Sequence, residues 1–474
     1  MRSPRIDRGR DSLPGGEALS LLILLAGAII VRALPAGIGY DGDEIFSVRL
    51  ADTPFATMLA GALGDQPHPP LHYLYLWGWI HAFGPGEMSV RASSIVLAAG
   101  FLLSAYVLFR RFLGVPAALA ALAVLSFSPY FYFFTLEARP YVIIALFGAL
   151  NLNGFFSLSD KPESVRRLVL WSASVLAVLF AQYLSVLVLA LEGLFLVARA
   201  PRRVLRFLVA GAVPAGLAGA WFAASFLQHG RLLPQINWIG PPRPFELVWF
   251  FVASIGADTG LPSIVLLALL CLPALSFAWA RLAARRLPGH EVFLALVAFG
   301  IPLLVFAISV LGPKPVFAPR QLLVPALCFV LLIGIAVQTL PRGAGATVAA
   351  ALVLWSAVAL GREPPSTMFG PWRELAARVD RIAGPAPLLT VEATTALYLG
   401  FYRRTGAAKP IQSAAALRSA TPLFVACRPF KCAELQDRHL AGRRRLLGDW
   451  RWGAANANQA TRELRLYRLL PAKS

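Results

Sequence analysis

The chain has 474 residues, of which 58% are hydrophobic and only 14% charged. A soluble globular protein carries about a quarter charged residues, so this composition excludes an ordinary soluble enzyme and indicates a polytopic α-helical membrane protein. The formal net charge of +20 does not point to nucleic acid, because the basic residues gather in short loops, the distribution that orients membrane helices.

Residues 1–17 form a basic tail with Arg2, Arg5, Arg8 and Arg10, followed by an apolar run over 18–36. No small-residue cleavage pattern follows that run closely, so it reads as an uncleaved first helix running outward. Basic loops at 110–111, 161–167, 199–206, 281–286 and 342 are then taken as cytoplasmic. They set further spans near 90–109, 115–134, 140–157, 166–182, 183–198, 203–227, 262–280, 291–311, 320–340 and 344–361. The parity holds only if "LHYLYLWGWIHAF" (71–83) does not cross the bilayer. That segment is short, carries His72 and His81, and is rich in Tyr and Trp, so it reads as an interfacial or re-entrant helix on the outer side. The expectation is about eleven spans, with the N-terminus inside and the C-terminus outside. Outer loops then fall at 37–90, 228–261 and 311–321.

From Pro364 onward the character changes, and 362–474 reads as a small soluble α/β domain on the outer face. "PWRELAARVDRI" has helical periodicity, with Leu375, Ala376, Val379 and Ile382 on one stripe. "TTALYLGFYRR" reads as a second helix, and "PLLTVE", "TPLFVAC" and "RELRLYRLL" as strands. Cys271 and Cys328 lie in apolar runs and read as inert core residues. Cys427 and Cys432 of "CRPFKC" are placed to close a disulfide across a tight loop in an oxidising outer compartment.

The candidate chemistry lies at outer helix ends. "YDGDE" carries Asp41, Asp43 and Glu44, "DQPHPPLHY" carries Asp65, His68 and His72, and "GEMSVRASS" carries Arg91. "TLEARPY" adds Glu137, Arg139 and Tyr141, and "LGPKPVFAPRQ" adds Lys314 and Arg320. Ionisable groups near membrane depth are costly and usually face a cavity on a functional path. Lys314 and Arg320 sit on the side where topology gives cations no purpose, so they call for an anion. Plainer readings exist: Asp41 or Asp43 capping the helix that starts near Glu44, Arg91 and Arg320 anchoring helix ends, and His72 and His81 as interface residues. The gathering of carboxylates and cations around three outer loops favours chemistry instead. A carboxylate can serve as general base, and Arg or Lys can hold a phosphate and stabilise it as it leaves. That inventory suits transfer from a lipid-linked phosphate whose tail lies between helices, among the membrane lipids. "DGD" also looks like a metal-binding Asp-x-Asp, but it lies outside, away from cytoplasmic nucleotide sugars, and no other His/Asp cluster has metal spacing; no metal cofactor is expected. The competing reading is a transporter or flippase of a lipid-linked or anionic solute. It is disfavoured by the lack of an internal repeat and by the crowding of polar groups on one face. A scaffold that only binds a lipid-linked sugar is the third reading.

The order of motifs carries a resemblance. The Asp-Glu pair after the first helix, "HPPLHYLYLWGWIHAFG", "SVRASS", "SPYFYFFTLEARPYVIIAL", "PVFAPRQLLVPAL" and "PWRELAARV" together resemble the GT-C integral-membrane glycosyltransferases. Within that class the chain resembles the bacterial dolichyl-phosphate-mannose–protein mannosyltransferase-like family, related to the aminoarabinose lipid A transferases. The resemblance covers nearly the whole chain, although Gln321 replaces the usual aromatic after Arg320. It implies Asp43 as the base toward the acceptor, with Glu44 its partner. It also implies Arg91, Arg139 and Arg320 as candidates for the donor phosphate or the network around it, and His68 as a phosphate contact. Asp41, Glu137, Tyr141 and Lys314 complete the substrate-binding candidates. The implied donor is a polyprenyl-phosphate sugar, used in a single inverting displacement, and the implied acceptor is a lipid, glycan or protein. The implied location is the bacterial cytoplasmic (inner) membrane, with the active site on its periplasmic or extracellular face.

Overall fold

The computed structural model describes residues 15–230, 239–256, 265, 289–362, 370–386, 388–411, 423–428, 444–451 and 463–470. In chain order come α1 (Gly15–Ala33), α2 (Gly42–Ala51), α3 (Phe55–Gly64), α4 (Leu71–Phe83), α5 (Glu87–Phe112), α6 (Val115–Phe127), α7 (Pro129–Leu136) and α8 (Tyr141–Asp160). These are followed by α9 (Val165–Ala181), α10 (Val186–Arg199), α11 (Val204–His229), α12 (Pro244–Ser254), α13 (Gly289–Leu311), α14 (Leu323–Gln338) and α15 (Arg342–Arg362). The C-terminal part contains α16 (Trp372–Ala383), β1 (Leu388–Thr390), α17 (Ala393–Tyr402), β2 (Ala408–Pro410), β3 (Leu423–Cys427), β4 (Arg444–Arg451) and β5 (Glu463–Leu469). Helices occupy every segment assigned to a span from sequence except 262–280, which, apart from residue 265, lies outside the described residues. Among the described residues, six helices are long and apolar enough to cross a membrane alone: α1, α5, α8, α11 with the turn before it, α13 and α15.

The chain packs as two compact units, one of Met1–Leu34, Leu59–His72 and Ser93–Leu360, the other of Pro35–Met58, Tyr73–Ala92 and Gly361–Ser474. In the first unit, α14 is apolar all round and buried along most of its length, the pattern of a central helix. It approaches α8 so closely that a Cβ on Gly148 would lie 2.3 Å from Val324, a position only glycine can fill. Elsewhere large side chains such as Ile23 (63% exposed), Leu205 (72%) and Leu354 (66%) point outward, as lipid-facing residues do. The single span expected over 115–134 is instead two helices, α6 and α7, bent by 61°. Ser128 sits at the break with Pro129 at the first position of α7, where the missing N–H interrupts the hydrogen-bond ladder. Ser128 Oγ donates to the Ala253 carbonyl of α12 at 2.9 Å, which ties the bend to the loop expected over 228–261. The bend re-aims the chain into "TLEARPY".

The second unit holds a five-stranded sheet in the order β2-β1-β3-β5-β4. β1 pairs in parallel with β2 and β3, and β5 pairs antiparallel with β3 and β4. Three of these strands and both helices were expected from sequence; β2 and β4 were not. Helix α16 buries Trp372, Leu375, Ala376, Val379 and Ala383, whereas Ile382, expected on that stripe, is exposed. Cys427 is disulfide-bonded, while Cys432 lies outside the described residues.

Candidate active site

The acidic cluster is built by the start of α2. Asp41 is its N-cap, and Glu44 at the third position closes a capping box. The Asp41 carboxylate accepts from the Gly42 N–H, and Glu44 Oε2 accepts from the Asp41 N–H at 2.9 Å. Such reciprocal bonds satisfy amides that a helix start otherwise leaves orphaned. Asp43 stands at the second helical position, half-buried. Ser47 Oγ donates to its carbonyl at 3.2 Å.

Arg91 meets this turn from the N-terminal end of α5. Its Nε donates to Glu44 Oε1 at 3.1 Å and its Nη2 to Glu44 Oε2 at 2.6 Å. Nη1 donates to the carbonyls of Ala36 (3.2 Å) and Ile38, and Nη2 also to Gly39 (3.0 Å). A guanidinium has five N–H donors, and these five bonds account for all of them. Both side chains of the Arg91–Glu44 pair are fully buried. The geometry therefore makes Arg91 a strut between Glu44 and the 36–39 loop, which leaves it, of the two places the resemblance implied, the surrounding network and not the phosphate itself. Glu44 in turn accepts three hydrogen bonds, one from the cap and two from Arg91.

Asp41 carries a second load. Tyr398 Oη donates to its Oδ1 at 2.5 Å. Desolvation by the surrounding protein is the largest influence on this carboxyl and, with Asp43 and Glu44 adding negative charge, outweighs the Tyr398 and Gly42 donors; the pKa is pushed up to about 6. Tyr402 Oη accepts the Tyr40 N–H at 2.5 Å and donates to Glu87 Oε1 at 3.0 Å. Glu87 in turn forms an ion pair with Arg373.

The cationic cluster belongs to the first unit. His68 Nδ1 and Asp65 Oδ2 are 2.9 Å apart, and Arg139 Nη2 faces His68 Nε2 at 3.4 Å. Arginine only donates, so the second contact makes Nε2 the acceptor and leaves the ring proton on Nδ1, toward Asp65. Arg139 is 5% exposed, in the tight turn where its N–H bonds the Glu137 carbonyl at 2.8 Å. Glu137 is buried, with its carbonyl held by Ser94 Oγ at 3.3 Å. His72, in the first turn of α4, is buried; desolvation, then the positive charge of Arg139, hold its pKa well below the usual value.

Two residues past Arg139, buried Tyr141 lies under Arg320, whose guanidinium carbon is 5.8 Å from the ring centroid. The turn carrying Arg320 is pinned by Tyr130 Oη on the Pro319 carbonyl (2.6 Å) and by Gln182 Nε2 on the Gln321 carbonyl (2.9 Å). Ser309 Oγ accepts the N–H groups of Val316 and Phe317 at 2.9 and 2.8 Å, fixing the loop that bears half-buried Lys314. The structure thus joins Asp65, His68 and Arg139 in one chain of contacts and Tyr141 with Arg320 in another. Sequence reasoning noticed Asp65 but gave it no role, and overlooked Tyr398 and Tyr402 altogether. The Asp41-x-x-Glu44 capping box was the one signal in the sequence that could have sorted the carboxylates.

Helices α9, α10 and α11 frame an apolar groove of about 690 Å³ whose lining includes Trp171, Tyr183, Phe207 and Phe222. Tyr183 lies within electrostatic reach of Asp65. A second apolar groove, of about 410 Å³, runs along α6, α14 and α15 from Gly114 and Arg342, away from these groups. Among the described residues no three His, Cys, Asp or Glu side chains converge as a metal site.

Solved structures share the fold. ArnT from Cupriavidus metallidurans bound to undecaprenyl phosphate aligns over 94% of this chain and 97% of its own, with a TM-score of 0.59 and 13% identity. The apo state of that protein aligns over 96% and 98%, again with a TM-score of 0.59, at 14% identity. The chain has the ArnT-like GT-C fold. The same GT-C fold underlies a weaker match, the archaeal oligosaccharyltransferase AglB from Archaeoglobus fulgidus in complex with an inhibitory peptide and a dolichol-phosphate. It aligns over 87% of this chain and 69% of its own, with a TM-score of 0.52 and 10% identity. No protein-family model and no curated protein sequence matches the chain. With its ArnT-like fold and its apolar helices, the chain is an integral membrane protein.

Proposed function

We propose that this protein is a glycosyltransferase that moves a sugar from a polyprenyl-phosphate donor to a lipid, glycan or protein acceptor, at the outer face of a bacterial cytoplasmic membrane. The observation that carries the reading is the Asp65–His68–Arg139 chain, a buried guanidinium and an oriented imidazole, in a fold shared with a protein solved with undecaprenyl phosphate. The resemblance to the GT-C transferases gives the role of base to Asp43, at the second position of α2, with Glu44 as its partner. In a single displacement the acceptor hydroxyl or amine attacks the anomeric carbon and its proton passes to the Asp43 carboxylate. The bond from that carbon to the phosphate oxygen breaks, and its electron pair leaves with polyprenyl phosphate. Arg139 and Arg320 are suited to hold the phosphate and stabilise its developing charge, with His68 orienting the Arg139 guanidinium and Lys314 on the same outer loop as Arg320. The groove beside Tyr183 is apolar and matches a polyprenyl chain in character.

The decisive experiment compares Asp43→Asn with wild type in proteoliposomes supplied with a panel of polyprenyl-phosphate sugars. The reading expects loss of about 10²-fold or more in kcat, the usual scale for removing a general base, with intact insertion. Transfer at the wild-type rate would remove Asp43 from that role. Comparison of the glycans, lipids and glycoproteins of a deletion strain with its parent would name the acceptor.

A further inference from the structure

Helix α17 holds the segment that leads into α2. Tyr398, which donates to Asp41, lies flat on Trp372 at 4.0 Å with 2° between the rings, and Arg428 covers both rings at 5.5 and 5.3 Å. A Cβ on Gly42 would lie 2.9 Å from the Tyr398 ring. One turn further on, Tyr402 takes the Tyr40 N–H, and Phe401 meets the Tyr40 ring edge-on at 6.0 Å. Arg49, near the end of α2, lies over Phe401 at 5.3 Å. Residues 40–42 are therefore gripped by a helix some 357 positions away in the chain.

We propose that Tyr398 is a positioning residue for the transfer: it fixes the first turn of α2, and thereby the direction of the Asp43 carboxylate. The C-terminal α/β segment is then a working part of the catalytic apparatus. This rests on the reading of Asp43 as base. The first amides of a helix have no intrahelical partner, so that turn frays first unless its cap is itself held. Asp41 is the cap, and Tyr398 holds it. The same contact explains the glycine between the two aspartates. Glycine is a poor helix residue, but at position 42 it leaves the room the ring occupies.

The test uses the full chain in lipid nanodiscs, with hydrogen exchange read on residues 40–51, and transfer measured in proteoliposomes with polyprenyl-phosphate sugars. Tyr398→Phe keeps the stacked ring and removes only the hydroxyl. Exchange across α2 should quicken about tenfold, the scale of one net hydrogen bond to a charged group, while α8 and α14 stay as in wild type. The kcat should fall with the donor KM unchanged. Gly42→Ala reads the contact from the other side. It should quicken exchange beside Tyr398 but slow it in a Tyr398→Ala background, because alanine is the better helix former once the ring is gone. General loosening gives no such reversal of sign. Unchanged α2 exchange in Tyr398→Phe, or one sign for Gly42→Ala in both backgrounds, overturns the proposal. So does a loosened α2 with unchanged kcat. Failure of the base reading looks different: Asp43→Asn stays active although α2 still loosens in Tyr398→Phe.

Discussion

Replacing Arg91 by lysine separates a strut from a phosphate ligand. The change keeps the positive charge but reduces five donors to three and removes the planar fork. Arg91 serves two Glu44 oxygens and three backbone carbonyls, in a pair with no solvent exposure. At least two acceptors would therefore be left buried and unsatisfied, at about 1–3 kcal/mol each. An expected loss of about 3 kcal/mol corresponds to roughly a hundredfold faster opening of the 36–47 segment, at 1.4 kcal/mol per factor of ten. Peptide-level hydrogen exchange on the nanodisc-embedded protein reads that opening, and binding of undecaprenyl phosphate to the same sample reads the alternative. Protection unchanged at 36–47, together with a tenfold or greater loss of lipid-phosphate affinity, would refute the strut and restore Arg91 to the donor site.

Two further expectations follow from the same geometry. Asp41 has a pKa of about 6, raised from an ordinary value near 4, so its protonated form is favoured in the folded unit; stability of α2 should rise as pH falls from 7.5 through 6 and level off below 4. The full shift corresponds to about 3 kcal/mol, and to nearer half that once residual exposure is allowed for. Asp41→Asn, an equally good cap, should abolish the pH dependence of α2 exchange; a dependence that survives would assign it to another group. Arg139→Ala should weaken donor use at least tenfold with acceptor KM unchanged, since a charge-assisted bond to phosphate contributes about 1.5–3 kcal/mol. Undiminished donor affinity in a binding assay would remove Arg139 from the phosphate site.

The helical skeleton was legible because bilayer physics writes it into composition: among the described residues, the apolar segments set off by basic loops coincide with α1, α5 to α11 and α13 to α15. Where local backbone chemistry intervened, sequence averaging missed it. Pro129 splits one expected span into α6 and α7, and β2, three residues long, and β4 carry no run of alternating apolar residues. The candidate site was legible as an inventory but not as a set of roles. Asp41, Asp43 and Glu44 are neighbouring acids in the sequence, and Arg91 and Arg139 are both cations at helix ends; nothing local distinguishes them.

What the sequence determined alone is therefore what depends on local transfer energies: a membrane protein, the placement of its helices, and the concentration of ionisable groups at a few loops. Tertiary structure decided how those groups are used. Glu44 became half of a sealed ion pair with a residue 47 positions away, and Asp41 became a cap held by a tyrosine 357 positions away. Arg139 came to face His68 across 71 positions. Whether a charge supports the fold or meets a substrate depends on which donors and acceptors surround it after folding. Those neighbours are brought together by packing over hundreds of residues, at a range where sequence spacing no longer carries information.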